Sequence, residues 1–161
     1  MLACSLILSR IDYCNALLHG APAATIHKLQ RVRNNVAWIV VQAPKRSDAK
    51  PLLRRLHWLP VEQRITYKTA VLTFKIRNTA TPAYLNRHIQ SRDCARNLRS
   101  SGTPLLARPS WKTDFAARDF RHSGPAVWNS FPKTVFGSSS LMLFKSRLKS
   151  HLFHLAYNDR Q

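Results

Sequence analysis

The chain has 161 residues, 45% of them hydrophobic, which suits one packed domain and is too apolar for a disordered tail. Lys and Arg number 26 against 7 Asp and Glu, a formal net charge of +19, so at least 19 bases have no carboxylate to pair with. That surplus opposes compaction and favours a polyanionic partner, whose displaced counterions add to binding. No run of 18 apolar residues is present, so no transmembrane helix is expected, and no basic surface-lying helix favours a membrane over nucleic acid. Cys4, Cys14 and Cys94 are few, odd in number and widely spaced. They point away from a disulfide scaffold and toward a reducing, intracellular compartment, cytoplasmic or nuclear rather than secreted.

The first segment, about Ala3 to His19, has helical spacing in Leu6, Ile7, Ile11, Cys14, Leu17 and Leu18, with Gly20 as its stop. Its apolar start lacks a basic flank, so it reads as a core helix rather than a signal peptide. Pro22 opens a second helix with Leu29, Val32, Val36 and Ile39 as its apolar stripe and Lys28, Arg31 and Asn35 beside it. Asp48 is placed to cap a short helix from Lys50 to His57. Pro60 opens the longest helix, about Val61 to Asn78, and Thr81 with Pro82 start another that ends near Ile89.

From Gln90 to Ser110, Arg92, Arg96, Arg99 and Arg108 sit among Ser, Asn, Gly and Pro, which reads as a loop with room for a short strand at Thr103 to Ala107. A helix is expected from about Asp114 to Ser123. SGPAVWNSFP then reads as a packed turn around Trp128, with one helical turn at Ala126 to Ser130. Ser138 to Ser140 offer an N-cap to the last helix, whose stripe is Leu141, Phe144, Leu148, Leu152 and Leu155. The fold expected is mainly α, a bundle of about five to six helices with an irregular, short-stranded segment between 90 and 137. Its parts are a helical region 1–90, a basic loop-rich segment 91–137 and a C-terminal amphipathic basic helix 138–161.

Several strings, in order, resemble one family: SRIDYCNALLHGAP, KLQRVRNN, LRRLHWLPVEQRITYK, PAYLNRHI, NLRSSGTPLLARP, GPAVWNSFP and LMLFKSRLKSHLF. They are similar to the region that follows the polymerase palm in non-LTR, LINE-type retrotransposon reverse transcriptases of the jockey-like kind, from about Ser9 to Phe153. The resemblance implies the helical thumb, which holds primer–template duplex, and the segment beyond it. It also implies that Met1 is an internal start within a longer reading frame. Two departures stand out, NNVAWIVV with Trp38 in place of a charged residue, and AARDFRHSG.

The family's metal-binding aromatic–Ala–Asp–Asp turn is absent, and no two acids are adjacent anywhere in the chain. Two-metal phosphoryl transfer needs carboxylates that share ions roughly 4 Å apart. The chain is therefore not expected to be an enzyme on its own, and no catalytic residue, cofactor or metal is assigned. His151 and His154 could share an ion only weakly, and no cysteine pair has zinc-site spacing.

The residues expected to touch nucleic acid are Lys28, Arg31, Arg54, Arg55, Arg96, Arg99, Arg108, Trp111, Lys112, Lys145, Arg147, Lys149 and His151. Arg54 and Arg55 suit phosphate because a guanidinium donates two parallel hydrogen bonds, although a solvated helix face explains either equally well. Trp58 and Trp128 read as core anchors, and Trp111, between Arg108 and Lys112, as the base-stacking candidate. The partner expected is RNA or an RNA–DNA hybrid, bound without sequence preference, with a palm domain or self-association covering an apolar face. The alternatives are a translated relic of a degraded element, or a general basic nucleic-acid-binding protein.

Overall fold

Prolines and short polar side chains set the helix starts. The structure, a computed structural model, describes residues 2–44, 46–92, 105–110, 112, 113 and 116–158. Helix α1 spans Leu2–Asp12 and is followed by a 3₁₀ turn, Asn15–Leu18. Pro22 precedes α2, Ala23–Val41, and Pro60 precedes α4, Val61–Thr79. A proline there loses nothing, because the first helical N–H groups have no internal partner. Asp48 caps α3, Ala49–Arg55, by accepting from the Lys50 amide at 3.0 Å. Helix α5, Ala83–Asn86, follows Pro82, and a 3₁₀ turn at Ala116–Arg118 leads into α6, Phe120–Asn129. Pro132 precedes α7, Lys133–Phe136, and Ser140 caps α8, Leu141–Tyr157, by accepting from the Leu143 amide at 3.2 Å. The described residues are mainly α-helical, and their strand-like pairing is one antiparallel bridge, Ser91 to Leu106.

Five local expectations are corrected. The segment 3–19 is not one helix, because Cys14 takes a left-handed conformation (φ 51°) and turns the chain back. In α2 the inward face is Arg33, Val36 and Ala37, while Val32 and Ile39 of the expected stripe are exposed. α5 ends at Asn86, short of Ile89. SGPAVWNSFP is not an irregular turn: its first seven residues complete α6, with Pro125 inside the helix. Proline removes one helical hydrogen bond, and the burial of Val127 and Trp128 outweighs that loss. In α8, Leu155 faces out and Tyr157 takes the inward place.

The main core surrounds α4. Phe74 stacks on Phe144 of α8 with centroids 4.2 Å apart, and Trp128 of α6 lies 5.8 Å from the same ring. Leu148 and Leu152 of α8, Val135 of α7, and Ile89 and Leu106 from the connecting segments close it. Burying a side chain of this size contributes roughly 1.5–3 kcal/mol. Gly124 lets α6 come close to α4, since a Cβ there would meet Ile89 Cδ1 at 3.2 Å and Thr73 Oγ1 at 3.3 Å. Asn129 fastens the connecting segment, accepting from the Leu106 amide and donating to its carbonyl, both at 2.9 Å. A smaller cluster gathers Ala37, Leu53 and Tyr157 with Trp58 and Phe153.

Candidate nucleic-acid interface

Asp12, at the end of α1, accepts from Arg64 of α4 in a fork: Arg64 Nε lies 2.9 Å from each carboxylate oxygen, and Nη2 also donates to Oδ2. Asn15 Nδ2 donates to Asp12 Oδ1 at 3.4 Å. This arrangement folds the Asn15–Leu18 turn onto α4. Gln30 of α2 reinforces it, with Oε1 accepting from the Val61 amide at 2.8 Å and so capping the start of α4. Arg33, also on α2, is 3% exposed and lies over the Trp58 ring at 5.5 Å. Its Nε and Nη1 have no hydrogen-bond partner among the described residues. Burial lowers the Arg33 pKa, and the nearby Asp12 charge opposes that shift.

The Asn15–Leu18 turn, α4 and α8 together border an open groove of about 450 Å³. Asp12 and Arg64 neutralise each other at its edge. Lys68 and Lys75 of α4 and Lys145 of α8 line the rest, with Tyr67, Val71 and Leu72 between them. Among the described residues none of the three lysines makes a hydrogen bond or an ion pair. Arg64, Lys68 and Lys75 fall on one face of α4, over roughly 16 Å at 1.5 Å per residue. Burial raises the Tyr67 pKa, so its hydroxyl stays protonated and its ring neutral. An apolar floor edged by three ammonium groups suits a phosphate backbone with base or sugar against the floor.

The groove takes in Lys145 alone among the residues expected from sequence to touch nucleic acid. Arg147 and His151 do not join Lys145 and Lys149 in one patch; they line the α7 side of α8. Arg147 Nη1 donates to the Thr134 and Gly137 carbonyls, both at 3.1 Å, and so caps the end of α7. His151 packs edge-on against Phe131, and burial first, then His154, lowers its pKa, which leaves it neutral at pH 7. Lys28 and Arg31 are exposed on α2, Arg54 and Arg55 at the end of α3, and Lys149 on α8. Arg108 and Lys112 are exposed in the connecting segment, while Arg96, Arg99 and Trp111 lie outside the described residues. Trp128 is a core residue, 2% exposed and closed to stacking on a base, and Trp58 is half-buried with Arg33 over its ring.

The signal for Lys68 and Lys75 is the spacing from Arg64, four residues and then seven. Sequence alone reads that spacing as a solvated helix face. Only the turn folded back by Asp12 makes it the wall of a groove. No group of three or more His, Cys, Asp or Glu able to hold a metal occurs among the described residues. Likewise, among the described residues no helix is long and apolar enough to cross a membrane. Comparison of the chain with family models, with curated proteins and with solved structures gave no match.

Proposed function

We propose that this chain is a nucleic-acid-binding module, the thumb and tail region of a LINE-type reverse transcriptase, that holds RNA or RNA–DNA hybrid without sequence preference. The observation that carries the reading is the convergence of Lys68, Lys75 and Lys145 on one groove in a chain of net charge +19. The ordered resemblance of its sequence blocks supports the assignment to that region. Asp12 and Asn15 of SRIDYCN, Gln30 and Arg33 of KLQRVRNN, and Trp58 and Arg64 of LRRLHWLPVEQRITYK are the residues that build the scaffold of the groove. Their role there is folding, with the phosphate contact left to the lysines.

The proposed module does no chemistry alone, since no two of its acids are adjacent in sequence, while Asp12 holds Arg64 and Asp48 caps α3. Leu6, Tyr13 and Leu17 near α1 and Val32 and Ile39 on α2 are exposed apolar residues that give a palm domain a surface to pack on. The test is the affinity of the chain for a short single-stranded RNA as salt rises from roughly 50 to 200 mM. Three phosphate contacts, each contributing a slope of about −0.7, weaken binding about 20-fold over that range. Affinity that does not change with salt would refute the reading.

A further inference from the structure

On the other flank of the Asn15–Leu18 turn lies a separate cavity of about 310 Å³, between the turn into α2 and the first turns of α4. That volume is at the lower end of small-ligand sites, roughly 300–1,000 Å³. Leu18, Ile26 and Ile65 give it apolar walls, and Glu62, His19 and His27 give it polar groups. The Glu62 carboxylate makes no hydrogen bond or ion pair among the described residues, in a chain with 26 bases. Its place in the first turn of α4 suits the helix dipole, which leaves both oxygens free to accept. His19 Nδ1 is buried without a partner among the described residues, and burial lowers the ring's pKa, so the imidazole is neutral at pH 7. Because no metal-holding group forms among the described residues, an organic ligand is the better match.

We propose that this cavity is a subsite for a guanine ring, a proposal that rests on the nucleic-acid reading above. Guanine presents two adjacent N–H donors, at N1 and N2, to the paired oxygens of one carboxylate, a parallel two-bond match of the kind an arginine fork makes. Uracil presents a single N–H between two carbonyl oxygens, which a carboxylate repels. Cytosine sets its amine beside a bare ring nitrogen. The flat ring meets the Leu18 and Ile65 walls, and neutral His19 is there to donate or accept. The Asn15–Leu18 turn lends Asn15 and Ala16 to the lysine groove and Leu18 to this cavity. A single strand with its phosphates on Lys68 and Lys75 thus has the cavity beside it for a splayed-out base, the form in which RNA bases are usually read.

The same ring occurs in a free nucleotide and in a strand, and the test separates the two. Guanosine and uridine, which carry no phosphate, are titrated into the full chain while the amide signals of Ile65 and Thr66 are followed by NMR. In parallel, affinities are measured for oligouridine with and without one central guanosine. We expect guanosine and not uridine to shift those signals, the single guanosine to tighten oligonucleotide binding about tenfold, and Glu62→Gln to abolish both effects. Salt-dependent oligonucleotide binding with no guanosine shift and no guanine preference would overturn the subsite and leave the groove standing. Guanosine shifts lost in Glu62→Gln, with no oligonucleotide binding, would uphold the subsite for a free nucleotide and overturn the groove. Shifts that persist in Glu62→Gln would overturn the subsite as drawn.

Discussion

Arg64 grips both carboxylate oxygens of Asp12 across 52 residues of sequence, and this pair holds the first helix and its turn against the longest one. Side-chain exposures of 30% and 16% keep the pair partly shielded from water. Removing Asp12 leaves Arg64 and the buried Arg33 without their shared anion. Asp12→Ala should therefore cost roughly 1–3 kcal/mol, between the values for an exposed pair and a fully buried one. Arg33→Met should change stability by less than about 1 kcal/mol, because two of its guanidinium nitrogens are already unpartnered among the described residues and a thioether fills the space. Urea titration of both variants checks the contrast, and equal losses would show that Arg33 is as necessary as Asp12.

Asn129→Ala should destabilise by roughly 1–3 kcal/mol. It strands the amide and carbonyl of Leu106, a residue 1% exposed, without their two side-chain partners. Hydrogen exchange at the Leu106 amide reads the effect directly, and protection there should fall more than at Phe144 in α8.

High pH should weaken the fold through Tyr157. Its hydroxyl donates to the Trp58 carbonyl, and burial raises its pKa from the usual 10.0 to about 12, against the pull of Arg33. A raised folded-state pKa means that the unfolded chain loses the proton first. This contribution is whole below pH 10 and is lost as pH climbs toward 12. Thermal melts across that window should fall less steeply for Tyr157→Phe than for the parent chain.

The helix starts were legible wherever a proline or a capping side chain stood next to the apolar run, as at Asp48, Pro60 and Ser140. The break at Cys14 was not, because a left-handed cysteine has no local sequence signature and is held by the tertiary grip on Asp12. Pro125 misled for a related reason: a proline normally ends a helix, yet α6 continues because Trp128 must reach Phe74 and Phe144. Charge was legible as a total but not as a place. Arg147 belongs to the end of α7, whereas Lys68 and Lys75 gain a role only through the turn that packs beside them.

With magnesium, template and primer, the purified chain should give no extension product. Its acids are dispersed, with no two adjacent in sequence and no metal-holding cluster among the described residues. Primer extension followed on a gel checks this, and a template-dependent product would require a carboxylate site not found among the described residues.

Binding of RNA in the lysine groove is read most directly from the salt dependence of affinity in two variants with equal charge loss. One replaces Lys68, Lys75 and Lys145 with Gln; the other replaces the exposed Arg46, Arg87 and Lys133 outside the groove. The groove variant should reduce the slope of log affinity against log salt by about 2, and the control by much less. Equal slopes in the two variants would mean that the cations act as a diffuse coat, and would contradict a binding site in the groove.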